Sequence, residues 1–248
     1  MHFLRFFESK KSFITSGLLN GTTDIHSHLL SGIDDGVNDY SEAVQILRWL
    51  RSHGVGRVYL TPHVMSDYSK NTAGYLLEQF GLLIKYLENE GVTDIPDIKL
   101  GAEYMLEATF KKHKEDGLLT YADRHLLVEM SYMMPPLGYR DMLEDLLESG
   151  YSPILAHPER YLYMEMKDFV LLKEQGIKLQ LNFISLIGAY GPAVQERAEK
   201  LLIEGFYDYT GSDIHHLSRH KEILKVQKLT KKQIIKLHPL FHNNQKLW

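Results

Sequence analysis

Apolar positions in this chain follow two alternating rhythms. Short runs, apolar through most of their middles, occur at 22–28 (TTDIHSH), 57–63 (RVYLTPH), 98–105 (IKLGAEYM), 125–130 (HLLVEM), 152–158 (SPILAHP), 178–183 (KLQLNF) and 207–213 (YDYTGSD). Such runs predict strands buried on both faces. Between them the apolar spacing turns helical. In 39–53, Ala43, Val44, Ile46, Leu47 and Leu50 form one stripe, and Asp39 or Ser41 can cap its start. Residues 71–90, 138–149, 166–175 and 192–204 read the same way. Gly54, Gly91, Gly150, Gly176 and Gly205 follow these helical runs, at the place where a left-handed C-terminal cap favours glycine.

Seven strand-then-helix alternations predict an α/β protein with a parallel sheet, either closed into a barrel or open and doubly wound. An open sheet that binds a dinucleotide often carries G-x-G-x-x-G after its first strand. Here that place holds His26-Ser27-His28 and Asp34-Asp35-Gly36. The barrel is therefore the expected architecture.

Composition narrows the picture in three ways. The 248 residues suit one large domain, and a formal net charge of −4 gives no electrostatic ground for binding nucleic acid. The absence of cysteine removes disulfides, zinc-thiolate sites and thiol nucleophiles together. No apolar stretch approaches the roughly 20 residues needed to span a bilayer. Glu8, Lys10 and Lys11 interrupt the apolar N-terminus, so no signal peptide is expected and a cytoplasmic location is. Residues 1–20 read as an extension before a single domain at 21–248.

Candidate chemistry collects at the strand ends. His26 and His28 lie two apart, so on a strand both imidazoles point to one face, where they can grip a metal ion. The second run ends in Thr61-Pro62-His63, the third holds Gly101-Ala102-Glu103, and the fourth ends in Val128-Glu129-Met130. The fifth ends in Ala156-His157-Pro158-Glu159-Arg160 and the seventh in Ser212-Asp213-Ile214-His215. A parallel barrel brings all its C-terminal strand ends to one rim. Taken singly, His63 would be a loop histidine, Glu103 and Glu129 salt-bridged strand carboxylates, and Asp213 a helix cap. Together at one rim, so many ionisable groups are costly to bury without a cation. His2, His53, His113, His125, His238 and His242 fall away from strand ends and read as solvated or structural. Most tyrosines read as packing residues. The run Met133-Met134-Pro135-Pro136 reads as a rigid loop over the rim, within reach of a substrate.

The ordered set "TDIHSHLLSGIDDG", "TPH", "GAEY", "VEM", "AHPERY" and "GSDIH" resembles the polymerase-and-histidinol-phosphatase (PHP) superfamily. More narrowly, it resembles the bacterial manganese-dependent tyrosine phosphatases of capsule and exopolysaccharide loci, the CpsB/YwqE type. The likeness runs from about Thr22 to about Arg219. It implies a distorted parallel (β/α)7 TIM-like barrel of the PHP fold with three divalent metal ions, Mn2+ first and Fe or Zn as alternatives. It assigns His26, His28, Glu103 and Asp213 to one ion. Glu103 bridges to a second, with Glu129 and His157, and Asp35, His63 and His215 hold the third. The second aspartate of "IDDG" matches the family ligand, hence Asp35 rather than Asp34. In the duplicated His215-His216, position is the only ground for choosing His215. Arg160 matches an arginine that contacts phosphate, and Arg219 is the nearest match to a second.

The implied reaction is removal of phosphate from tyrosine by a metal-bridged hydroxide, without a phosphocysteine intermediate. The implied partner is a phosphotyrosine-bearing protein, the tail of a bacterial tyrosine kinase that controls polysaccharide synthesis. The competing readings are another PHP phosphoesterase, acting on histidinol phosphate or a phosphodiester, and a non-catalytic adaptor that binds a kinase. One further alternative concerns Arg160, which could simply pair with Glu159 or another surface acid.

Overall fold

A computed structural model describes residues 10–248. The strands are β1 (Thr23–Asp24), β2 (Arg57–Leu60), β3 (His63–Val64), β4 (Asp97–Leu100), β5 (Glu103–Met105), β6 (His125–Glu129), β7 (Ser152–Ala156), β8 (Lys178–Asn182) and β9 (Tyr209–Gly211). All pair in parallel, as β1-β2-β4 and as β3-β5-β6-β7-β8-β9. The seven expected runs are all present, but the second and third are broken and the first and last keep only two and three ladder residues. The second breaks at Thr61-Pro62, because proline has no N–H to give to a ladder. The third breaks beside it at Gly101-Ala102, and the backbones stay in step across the gap. Gly101 N donates to Leu60 O at 2.8 Å and Glu103 N to Pro62 O at 3.0 Å.

The first run, expected as a strand over 22–28, keeps ladder geometry only at Thr23–Asp24. Beyond it the chain pairs with the end of the last run. Ser27 forms an isolated parallel bridge with Ile214, Asp213 N donates to His26 O at 2.9 Å, and His28 N donates to Ile214 O at 2.9 Å. First and last runs thus meet at their C-terminal ends, where the candidate residues lie.

The described helices are α1 (Phe13–Ser16), α2 (Tyr40–Ser52), α3 (Ala73–Asn89), α4 (Phe110–Asp116), α5 (Tyr139–Glu148), α6 (Met166–Glu174), α7 (Pro192–Glu204), α8 (Leu217–Leu224) and α9 (Lys231–Asn244). The five expected helices are α2, α3, α5, α6 and α7. Asp39 caps α2 by accepting from Glu42 N. The five glycines after them all have positive φ, which costs a residue without Cβ little. The other four helices were not expected. Pro239 inside α9 obscures its period, although Thr230 and Gln233 form a capping box at its start.

Residues 10–20 pack onto the rest of the chain. Lys11 bridges Leu229, and the fully buried Phe13 ring lies 4.8 Å from Phe183. Residues 1–9 of the expected extension, including His2, lie outside the described residues.

Adjacent strand residues serve opposite faces. Leu126 and Val128 join the large core under the helices, whereas Leu127 joins a smaller cluster with Ile25, Tyr59, Ile154 and Tyr209 on the other face. Glu129, two residues past Leu127, shares that inner side. No described helix is long and apolar enough to cross a membrane.

Candidate metal centre

The strand ends deliver nine ionisable side chains to one place. The Nε2 atoms of His26 and His28 lie 3.2 Å apart. His26 Nε2 is 3.1 Å from Glu103 Oε2 and 3.4 Å from Asp213 Oδ1. His28 Nε2 is 3.4 Å from the same Glu103 oxygen and 3.3 Å from the same Asp213 oxygen. The other Glu103 oxygen, Oε1, faces His157 Nε2 at 3.0 Å. His63 Nδ1 lies 3.2 Å from Glu103 Oε2 and 2.8 Å from Glu129 Oε1. Asp35 Oδ1 lies 3.5 Å from His63 Nε2 and 3.4 Å from His215 Nε2.

Four groups among the described residues can hold a cation: His28 with Asp35, His63 and His215; His26 with His28 and Asp213; His26 with Glu103 and His157; and His63 with Glu103 and Glu129. They contain all nine residues proposed from the sequence. The grouping differs from the expected three subsites: His28 also joins Asp35, His63 and His215, and Glu103 groups with His157 and with Glu129 separately. His157 sits with His26 and Glu129 with His63, and His157 Nε2 is 3.9 Å from Glu129 Oε2. Glu103 joins the subsites, as a bridging carboxylate would.

The donors fit divalent cations. His63 Nδ1, Glu103 Oε2 and Glu129 Oε1 are buried with no hydrogen-bond partner. The 2.8 Å approach of His63 to Glu129 therefore lacks hydrogen-bond geometry, and both atoms face a common region. Ligand atoms about 2.1 Å from one ion sit roughly 3 Å from each other, which matches the spacings above. Nitrogen and oxygen donors without sulfur suit Mn, Fe or Zn.

Electrostatics agree. Burial and nearby His28 push the His63 imidazole down, yet Glu129 and Glu103 outweigh them and lift it to about 9. Burial raises Glu103 and Asp213, but the surrounding histidines hold both carboxyls well below their usual range. Bound divalent cations would supply the same positive charge to these carboxylates.

Further residues aim these side chains. Gln180 Oε1 lies 3.0 Å from His26 Nδ1, and Asp34 Oδ2 lies 2.8 Å from His28 Nδ1. Each leaves the opposite ring nitrogen, Nε2, for the shared centre. Asp34 also accepts from His63 N and Gly36 N. The two aspartates of "IDDG" therefore divide the work, with Asp34 buried behind the histidines and Asp35 facing the cavity. Gly36 follows because a Cβ there would lie 2.1 Å from His28 O. Asp34→Ala should lower metal affinity about 10–100-fold without unfolding the chain. Competition with a chelating dye measures this, and unchanged affinity would contradict the role.

Two of the nine, His157 and Asp213, have left-handed backbone at φ 34° and 53°. For such residues this costs of order 1–3 kcal/mol and is found where a site over-determines the geometry. Tyr161 OH accepts from Met130 N at 3.0 Å and lies 3.4 Å from His157 Nδ1. Asn182, at the end of β8, donates to Asp213 Oδ2 at 2.8 Å.

Sequence reasoning missed Asp34, Gln180, Asn182 and Tyr190. It also passed over His220, which is buried and pushed down by that burial to about 4. Gln180 carried a usable signal, as a polar residue inside the apolar run KLQLN. The described histidines read as solvated or structural, His53, His113, His125, His238 and His242, take no part in the four groups.

Arg160 and Arg219 border the same cavity, of about 860 Å³. Arg160 does not pair with Glu159. Glu159 is fully buried and accepts from Asn182 N, Ser185 Oγ and Tyr207 OH. Arg160 Nη1 instead lies 3.4 Å from Asp213 Oδ2. Both guanidiniums lie 4.9 Å from the Tyr190 ring, within cation–π range. The Tyr190 hydroxyl is 3.2 Å from Asp213 Oδ2, so one aromatic residue links both arginines to the candidate ligands.

Comparison with known proteins gives a consistent result. The family described as capsular polysaccharide synthesis, CpsB/CapC, matches residues 22–246. The chain is 28% identical over 199 residues to the tyrosine-protein phosphatase YwqE of Bacillus subtilis, covering 78% of this chain and 77% of that protein. It is 26% identical over 210 residues to a putative tyrosine-protein phosphatase CapC of Staphylococcus aureus, covering 82% and 80%. Among solved structures it is similar to one from work on YwqE of Bacillus subtilis and CpsB of Streptococcus pneumoniae, described as unique metal-dependent tyrosine phosphatases. That match has a TM-score of 0.72 at 23% identity and covers 89% of this chain and 94% of the other. At that identity the likeness speaks for the fold.

Proposed function

The chain belongs to the CpsB/CapC family of capsular polysaccharide synthesis, and from that premise we propose that it is a metal-dependent, cysteine-independent protein-tyrosine phosphatase. The observation that carries this reading is the convergence of nine nitrogen- and oxygen-bearing side chains, six of which line the same cavity as Arg160. We read the donors as the ligands of three divalent ions, Mn2+ first. We read the parallel strands, joined by the Ser27–Ile214 bridge, as a distorted (β/α)7 barrel.

When bound, the cations would supply a water acidified to near-neutral pKa and positive charge for the phosphoryl oxygens. The chain's own residues do the rest. Arg160, placed beyond the ligands, can donate two parallel hydrogen bonds to the phosphate. Arg219, held by its bond to Ala189 O, adds a second positive charge at the entrance. Tyr190 keeps both in register. The leaving phenolate has a pKa of about 10, so a dedicated acid is less necessary than for an alkyl phosphate.

The substrate we propose is a phosphotyrosine segment of a bacterial tyrosine kinase controlling capsule or exopolysaccharide synthesis, which implies a cytoplasmic site of action. The full donor set counts against a non-catalytic adaptor. The test is turnover of p-nitrophenyl phosphate and of a phosphotyrosyl peptide by the purified protein supplied with Mn2+. An adaptor would turn over neither.

Arg160→Ala should lower kcat/KM on a phosphotyrosyl peptide by about a hundredfold, the scale of losing one well-placed charge-stabilising donor. Its metal content should remain unchanged. Arg160→Lys should recover only part, because an ammonium lacks the planar fork. Arg219→Ala should have a milder effect. Unchanged kinetics in Arg160→Ala would remove the arginine from the reaction, and lost metal would reassign it to holding Asp213.

A further inference from the structure

The cavity has an edge that the chemistry above does not use. The segment 131–138, SYMMPPLG, carries no charge. Its Tyr132, Met133, Met134 and Leu137 are 61%, 76%, 66% and 98% exposed. The segment is tied down despite this exposure. Tyr163 OH donates to Ser131 O at 2.9 Å, Met133 N to Ser131 Oγ at 3.2 Å, and Tyr139 N to Pro136 O at 3.3 Å. Pro135 and Pro136 restrict it further. A fixed apolar cluster held in water marks an interaction site.

Two observations identify its occupant. The cluster lines the same cavity as Arg160, and the Tyr132 ring lies 5.6 Å from the Arg160 guanidinium. The uncharged rim therefore begins one aromatic ring away from the phosphate anchor. The cavity's 860 Å³ also lies in the range of roughly 300–1,000 Å³ that encloses a whole small ligand. It has room for more than one side chain. Charge is uneven across it: the floor is ionisable, the 131–138 edge is neutral, and Asp67 and Glu107 line another part.

We propose that this rim docks an apolar or aromatic side chain lying within about two residues of the phosphotyrosine, in a segment extended at about 3.3 Å per residue. The proposal rests on the phosphatase reading and adds the chemistry of the flanking sequence. A charged side chain docked against this segment would lose hydration and find no charged partner on it. Methionine adapts to differently shaped partners, so the rim selects a class of side chain rather than one residue. Its fixed backbone lowers the ordering cost of binding.

The test uses the full chain with Mn2+ and two phosphotyrosyl peptides of equal length, one with leucine flanks and one with serine flanks. Rates are normalised to p-nitrophenyl phosphate, which has no flanks. The leucine peptide should be favoured about tenfold in kcat/KM, the effect of burying one aliphatic side chain, with the difference in KM. The Met134→Ser/Leu137→Ser variant should lose that preference. Equal peptides in the unaltered protein, or a preference that survives in the variant, overturns the proposal alone. A changed oligomeric state in the variant with unchanged peptide preference assigns the rim to a second copy of this chain. Failure to hydrolyse p-nitrophenyl phosphate overturns the phosphatase reading, and this proposal with it.

Discussion

Glu103→Ala and His157→Ala are each expected to reduce phosphatase activity at least about a hundredfold, roughly 2.7 kcal/mol of barrier. Glu103 is the stronger case. Its two oxygens face His26, His28 and His63 on one side and His157 on the other, so its loss opens more than one subsite. His157 offers Nε2 from a backbone held at φ 34°, and alanine there leaves Glu103 Oε1 without that partner. Both side chains are buried, so circular dichroism must show each variant folded, and elemental analysis should show reduced metal. A folded variant that keeps more than about a tenth of the activity would contradict its assignment. His53→Ala is the control. That ring lies tilted against Trp49 at 4.4 Å and accounts for no part of the donor cluster.

Chelation is expected to abolish activity and added Mn2+ to restore it. Three buried donor atoms without hydrogen-bond partners have no other evident role, and an arginine pair alone provides no nucleophile. Iodoacetamide should leave the rate unchanged, because the chain has no cysteine to alkylate. The two treatments together separate this chemistry from that of thiolate phosphatases. Full activity after chelation, with metal removal verified by elemental analysis, would end the metal mechanism. Loss of activity with iodoacetamide would point to another nucleophile.

The linear pattern already contained the alternation of strands and helices. The glycine stops at Gly54, Gly91, Gly150, Gly176 and Gly205 bounded the five regular helices, since a left-handed cap is a local requirement. The nine donors were legible for a related reason. Each sits at or just beyond the end of an apolar run, and strands running in parallel bring such ends together. Family resemblance, rather than spacing, sorted them into three subsites and chose Asp35 over Asp34.

Other features depended on contacts across the chain. Proline at 62 and the adjoining Gly101 divide the strands into two sheets, and only the neighbouring backbones fix where pairing resumes. Gln180 aims His26 from 154 residues away, and Asn182 holds Asp213 from 31 away. Tyr190 draws Arg160 and Arg219 to one ring. Residue types along the chain therefore settled which elements form and which side chains could carry chemistry, because propensity, capping and alternation act between neighbours. Which nitrogen of each histidine faces the centre, and which side chains lie behind His26 and His28, emerged only in the folded molecule. Those choices rest on hydrogen bonds between segments that the linear order does not pair.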